Sequence, residues 1–260
     1  MHFPEKIAAL LSGEKYKTDD IGMSNASVLL FQDKVLKIQD DNAEASNEYR
    51  MMTWLQGKLS VPKVFAFESD GEKSWLLMSR CRGEASCAEK YMKNPVEQTK
   101  RLAKGLKNLW QVDITNCPSD HRLKHKLAMA SYFVEHGLVD VENTEPDTFG
   151  ENGFRDPEEL LQWLYDNQPA EEPVLSHGDY CLPNIFLSPH EISYIDLGKT
   201  GVADKWCDIA LCYRSLSHNY SGKYHGAAYP GFDDELLFRE LGIAPDWDKI
   251  RYYVLLDELF

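Results

Sequence analysis

The chain has 260 residues, 43% of them apolar, enough to bury one large core or two small ones without a disulfide framework. Its 42 acidic residues against 28 basic give a formal charge of −14, which argues against nucleic acid or an anionic membrane as a partner and leaves a polycation open. The six cysteines show no C-x-x-C spacing and fit reduced thiols in the cytoplasm; Ile7 to Leu11 is too short an apolar run for a signal peptide, and nothing later approaches a membrane span.

In chain order, Pro4 to Leu11 predicts a short helix with Pro near its first turn. Strands follow at Ser27–Phe31 and Lys34–Ile38, preceded by Gly22-Met23-Ser24-Asn25. Small residues between strands let backbone N–H groups approach phosphates, although this is not a G-x-G-x-x-G and an ordinary hairpin turn has the same composition. Lys37 lies late in its strand between Leu36 and Ile38. The next segment, Ala43–Leu59, reads as a helix in which Glu48, Met52, Leu55 and Leu59 share one face. A carboxylate on an apolar face is costly unless it meets a cation, and Lys37 is the candidate.

Two further strands, Val64–Phe67 and Trp75–Met78, lead to Ser79–Gly83, where periodicity is lost. This is where the chain is expected to divide into lobes, residues 1–81 and 82–260. Beyond it the pattern turns helical: Asn94 to about Gln111, Ser119 to Glu135 closed by Gly137, and Asp156 to about Asn167. The acid-rich Asp140–Asp147 segment interrupts these helices and by composition reads as a solvated loop.

The most informative stretch is Leu175–Gly201. Short apolar runs, Ile185-Phe186-Leu187 and Ile192 to Ile195, carry His177, Asp179, Asn184 and Asp196 at their ends and on the adjoining loop. Asp179 and Asn184 are five apart and Asp196 follows twelve later, before Leu197-Gly198. Phosphoryl transfer needs a carboxylate beside the attacking hydroxyl, and an amide oxygen with a second carboxylate suits Mg²⁺. Each residue alone is also an ordinary turn former; the combination is what points to chemistry. Helices are then expected at Trp206 to about Ser217, Asp233–Leu241 and Asp246–Glu258, with a loop-like Tyr220–Gly231. His121 and His125 at i, i+4 lack a third ligand and an H-E-x-x-H glutamate, Ser176, His177 and Asp179 on one loop cannot face one another as a hydrolase triad, and the six tryptophans are spread as core residues.

The stretch resembles the aminoglycoside phosphotransferases, enzymes of protein-kinase-like fold. His177-Gly178-Asp179 with Asn184 is similar to their catalytic loop and Ile195-Asp196-Leu197-Gly198 to their metal segment; Ala203-Asp204-Lys205-Trp206, Asp208-Ile209-Ala210 and the C-terminal Leu255–Phe260 continue the likeness, the last toward the 3′-phosphotransferases. The resemblance implies a bilobal α+β fold, with an antiparallel sheet and one main helix before a larger, mostly helical lobe. It also implies transfer of the γ-phosphoryl of ATP (or GTP) to the 3′-hydroxyl of an aminoglycoside, with Mg²⁺ as cofactor, in a monomer or weak homodimer. Asp179 would orient the hydroxyl and take its proton, with Asn184 and Asp196 on the metal. Lys37 set by Glu48 would grip the phosphates, Gly22, Met23, Ser24 and Asn25 would cover them, and the backbone from Ser79 to Cys81 would meet the adenine edge. His177 is expected to brace the loop.

The same resemblance places the substrate among Glu142, Glu145, Lys199, His218, Asn219, Asp257, Glu258 and the Phe260 carboxylate. Val35 stands where a related enzyme stacks an aromatic ring on adenine, Lys199 where it has Arg, and His218-Asn219 where it has two acids, so a narrower or shifted antibiotic spectrum is expected. Two alternatives are a kinase for another small cationic alcohol such as choline, which would keep the catalytic residues and change the acidic rim, and a silent nucleotide-binding module, which would need none of them.

Overall fold

A computed structural model describes residues 3–19, 26–151, 153–223 and 226–260. Helix α1 (Glu5–Leu10) precedes the strands β1 (Lys17–Asp19), β2 (Ser27–Leu30) and β3 (Lys34–Asp40); helix α2 (Ala43–Leu55) then leads to β4 (Val64–Ser69) and β5 (Lys73–Ser79). The five strands form one antiparallel sheet in the order β1-β2-β3-β5-β4. Because strand side chains alternate between faces, β3 does two things at once. Leu36 packs with Leu29, Leu77 and Trp75 against Ile7 and Leu11 from the α1 end of the chain. Lys37 takes the other face, where its cross-strand partner Leu76, with Met78, packs against Met51, Met52 and Leu55 of α2.

Asn42 caps α2, its side chain accepting from the Ala45 N–H at 2.8 Å. The helix stops at Leu55, one turn short of the expected Leu59, because Gln56 is extended and Gly57 follows in the left-handed region at φ 76°. Glu48, Met52 and Leu55 keep their shared buried face, and Leu59 packs against the same core from beyond the helix end.

The remaining elements are β6 (Glu84–Ala85), α3 (Glu89–Met92), α4 (Pro95–Trp110), α5 (Leu123–Glu135), α6 (Pro157–Asp166), β7 (Pro173–Ser176), β8 (Ile185–Leu187), β9 (Ile192–Tyr194), β10 (Gly201–Asp204), α7 (Lys205–Ser221), α8 (Leu236–Leu241) and α9 (Trp247–Asp257). Helix α4, capped by Asn94 with Pro95 at its first position, buries Leu102, Leu106 and Leu109 at the centre of the larger core. Three expected boundaries move for local reasons. Helix α5 begins at Leu123 rather than Ser119, because the Ser119 carbonyl accepts from Val202 N–H and His121 N–H donates to Val202 O, which ties that segment to β10. Helix α7 runs four residues past Ser217 to a Gly222 cap at φ 78°. Helix α8 starts at Leu236, after a turn in which Asp233 accepts the Glu235 and Leu236 N–H groups. No helix among the described residues is long and apolar enough to cross a membrane.

Candidate active site

Antiparallel pairing closes the spacing between Asn184 and Asp196. A single 3₁₀ turn, Leu182–Asn184, opens into β8, whose Ile185 pairs with Tyr194 of β9; Ile195 N–H then donates to Asn184 O at 3.1 Å. The hairpin therefore delivers Asp196 beside Asn184. Asn184 Nδ2 donates to Asp179 Oδ2 at 2.8 Å and to the Asp179 carbonyl at 3.1 Å, which fixes Asp179 on the loop and turns Asn184 Oδ1 away from it. His177 is fully buried, its Nε2 donating to Ile195 O at 3.0 Å and its Nδ1 accepting from Asp179 N–H at 3.3 Å. Both ring nitrogens are spent on backbone, so His177 ties the loop to the Ile195–Asp196 segment.

Gly178, at φ 83°, is required by space as well as conformation: a Cβ there would lie 2.0 Å from the Lys199 carbonyl oxygen. Gly178→Ala is expected to cost about 2 kcal/mol or more in urea unfolding, combining left-handed strain with a clash against rigid backbone.

Lys37 joins the sheet to this loop. Its Nζ lies 2.9 Å from Glu48 Oε2 and 2.7 Å from Asp196 Oδ1. Burial opposes its ammonium, but the two carboxylates outweigh burial and hold Lys37 above the usual lysine range. Burial likewise works against the Asp196 carboxylate, and Lys37, with His177 and Lys199 behind it, holds it below the usual range. Asp196 is the one described non-glycine residue at positive φ (59°), a conformation aspartate tolerates better than most, at a strain characteristic of functional sites. Its Oδ2 and Asn184 Oδ1 have no protein partner among the described residues. Two unspent hard oxygens on adjoining backbone segments suit Mg²⁺, which needs few protein ligands when phosphates and waters supply the rest. Among the described residues no group of three or more His, Cys, Asp or Glu could hold a metal, and His121 and His125 instead pair with Ser119 and Asp120.

The linker residues differ in availability. Ser79 is spent on the sheet, donating its N–H to Lys63 O at 2.8 Å and accepting Lys63 N–H on Oγ at 2.9 Å. Cys81 makes no backbone hydrogen bond among the described residues, and burial pushes its thiol up to about 12. Gly22, Met23, Ser24 and Asn25 lie outside the described residues.

The acidic rim carries its own cations. Arg214 of α7 clamps the Asp257 carboxylate and reaches Glu258 Oε1 at 2.9 Å. Burial acts against the Asp257 charge, but Lys199, Arg214 and Lys126 hold it below the usual range. Lys199 lies within electrostatic reach of Asp257, Asp179 and Asp196, which outweigh its burial and raise it, and its Nζ is 5.9 Å from the Phe260 ring. Glu145 joins the cluster through Glu258, His218 and Lys223. Glu142 is exposed and meets none of them, and Asn219 spends its amide on the Ser215 carbonyl at 2.8 Å.

The profile of the APH phosphotransferase enzyme family matches residues 15–253. The chain belongs to that family. It is 40% identical over 263 residues to an aminoglycoside 3′-phosphotransferase of Enterococcus faecalis, and 39% identical over 262 residues to one of Staphylococcus aureus, covering 95% of each chain in both comparisons. The crystal structure of an aminoglycoside 3′-phosphotransferase of type VIII superposes with a TM-score of 0.81 at 26% identity, over 98% of both chains. The protein-kinase-like fold follows from these likenesses and from the sheet and helices above.

Several residues that build the phosphotransferase site have no assigned part in the sequence reading. Asp208 accepts from Ser176 Oγ (2.9 Å), His177 N (2.7 Å) and Gly178 N (2.9 Å), and so holds the loop from the first turn of α7. Asn47, next to Glu48, donates to Gly198 O (2.8 Å) and Thr200 O (2.9 Å), fastening α2 to the segment that follows Asp196. Burial, Asp179 and a hydrogen bond to Asp179 all keep the Cys181 thiol protonated. The Asp208-Ile209-Ala210 likeness is the one sequence signal that touches any of these, and it carries no role by itself.

Proposed function

We propose that the chain moves the γ-phosphoryl group of ATP or GTP to the 3′-hydroxyl of an aminoglycoside. The observation that carries this reading is the 2.7 Å contact between Lys37 Nζ and Asp196 Oδ1, which brings a sheet lysine and a hairpin aspartate 159 positions apart into one site. Family membership and the 3′-phosphotransferase relatives support the substrate class. In this reading residues 1–81 and 82–260 form the two lobes, with β6 already paired to β8 just past the division.

Lys37, oriented by Glu48, grips the phosphates. Asn184 Oδ1 and Asp196 Oδ2 would hold Mg²⁺, which would supply charge neutralisation at the nucleotide phosphates. Asp179, steadied by Asn184, orients the sugar hydroxyl and accepts its proton. Lys199 lies between this centre and the acids of the rim, close enough to both to compensate charge as phosphate and polycation approach. Asp257, Glu258 and Glu145 receive the ammonium groups. The added phosphate dianion spoils the antibiotic's attraction to RNA phosphates, giving resistance.

An acceptor panel in a coupled nucleotide-consumption assay tests the proposal. Kanamycin is expected to be turned over, with tobramycin, which lacks the 3′-hydroxyl, and choline giving only background. Turnover of tobramycin at the kanamycin rate would displace the 3′ assignment; choline turnover without kanamycin turnover would displace the substrate class.

A further inference from the structure

Both oxygens of Glu145 are already taken. Oε2 lies 2.6 Å from Lys223 Nζ and Oε1 lies 3.1 Å from His218 Nε2; Lys223 Nζ is itself 3.2 Å from that ring nitrogen, and burial holds the His218 imidazole below its usual range. Helix geometry sets this arrangement. Gly222 turns left-handed at the end of α7, so that Lys223 N–H folds back onto the His218 carbonyl at 3.0 Å and the lysine lies over the helix terminus beside His218. The Glu145 main chain is held separately: its N–H donates to Glu258 Oε2 at 2.8 Å, and Glu258 Oε1 accepts from Arg214 at 2.9 Å. The Asp140–Asp147 loop is therefore moored to the C-terminal acids by its backbone and to α7 by its side chain.

We propose that Lys223, braced against His218, is an internal counter-charge that occupies Glu145 and sets substrate affinity, so that an aminoglycoside gains this carboxylate fully only when one of its ammonium groups displaces Lys223. The inference rests on the proposed function and adds to it. His218 and Asn219 bring no carboxylate to this face of α7, and Lys223 places positive charge directly on Glu145. Glu145 is held below the usual carboxylate range because Lys223 and His218 outweigh its burial, so the carboxylate stays ionised and ready to exchange partners. Lys223 is 37% exposed against 20% for Glu145, leaving the ammonium free to swing into solvent while the Glu258 bond keeps the loop in place. Lys223 is thus a positioning residue acting through Glu145, and its removal is expected to act on KM rather than on kcat.

Steady-state kinetics of the full chain with neomycin and kanamycin tests this. Lys223→Gln is expected to lower KM about two- to fivefold, the range an ion pair at this exposure allows, with kcat within about twofold. Lys223→Arg is expected to hold the parent KM, and Glu145→Gln to raise KM more in the Lys223→Gln background than in the parent. An unchanged or raised KM in Lys223→Gln, an arginine variant that behaves like the glutamine one, or equal effects of Glu145→Gln in both backgrounds would overturn the proposal. Thermal midpoints taken alongside separate a folding defect, which would depress kcat and Tm together, from the expected pattern. A parent chain that phosphorylates neither antibiotic would remove the proposed function and the counter-charge role with it; an active parent whose KM ignores Lys223 would remove the second alone.

Discussion

Asp179→Ala is expected to lower kcat for kanamycin by about 10²- to 10⁴-fold, the range contributed by a positioned general base. The loop should survive the change. Asn184 Nδ2 would lose Asp179 Oδ2 but keep the Asp179 carbonyl at 3.1 Å, and His177 would keep its bonds to Ile195 O and the Asp179 N–H. In the proposed site the nucleotide contacts belong to Lys37, Asn184 and Asp196, so nucleotide KM and the thermal midpoint should stay near the parent values. A split of this kind, with catalysis lost while binding and folding are retained, is what a group acting mainly in the transition state produces. If Asp179→Ala kept turnover within tenfold of the parent, another group would have to take the proton; His177, with both nitrogens on backbone, is poorly placed to be that group.

Residues whose meaning is set by their own neighbours were legible in the sequence. Lys37 could be matched to Glu48 because a carboxylate on the Met52–Leu55 face must find a cation, and the short apolar runs at Ile185–Leu187 and from Ile192 read as the strands they form. Residues whose meaning depends on a distant strand or helix were not. Arg214 and Lys223, one inside an expected helix and the other in an expected loop, carry no local signal, and only the approach of α9 and the Asp140–Asp147 loop makes them partners of Asp257, Glu258 and Glu145. Ser119 looked like a helix start because nothing local announces its pairing with Val202. The helix from Ala43 read too long for a related reason: Gly57 is tolerable within a helix by propensity, and tertiary packing decides that it ends one. Asp208 is the extreme case. In sequence it is an acid near a helix start; in the fold it is the pin on which the catalytic loop hangs.

That pin should be costly to remove. Asp208, Ser176 and His177 are all fully buried, and the carboxylate gathers the Ser176 hydroxyl and the N–H groups of His177 and Gly178 at 2.7 to 2.9 Å. Burial pushes the Asp208 carboxyl up, but His177 and the three donors pull the other way, and its place in the first turn of α7 favours negative charge there. Asp208→Ala would strand the buried His177 N–H and Ser176 hydroxyl and leave Gly178 N–H only Ser176 Oγ at 3.1 Å, an expected loss of about 3–5 kcal/mol in chemical unfolding. Asp208→Asn keeps the shape and can still accept at one oxygen, but it sets an N–H₂ against an N–H; it should lose less stability while leaving the loop misplaced. Since a shift of about 1 Å near the reacting centre can cost about 10²-fold, kcat/KM for kanamycin should fall by roughly that factor in Asp208→Asn, although Asp208 touches neither substrate. Its effect should also be non-additive with Asp179→Ala, because a displaced loop has already lost most of what Asp179 contributes. An Asp208→Asn protein within about 1 kcal/mol of the parent stability and equally active would mean that the loop keeps its shape without α7.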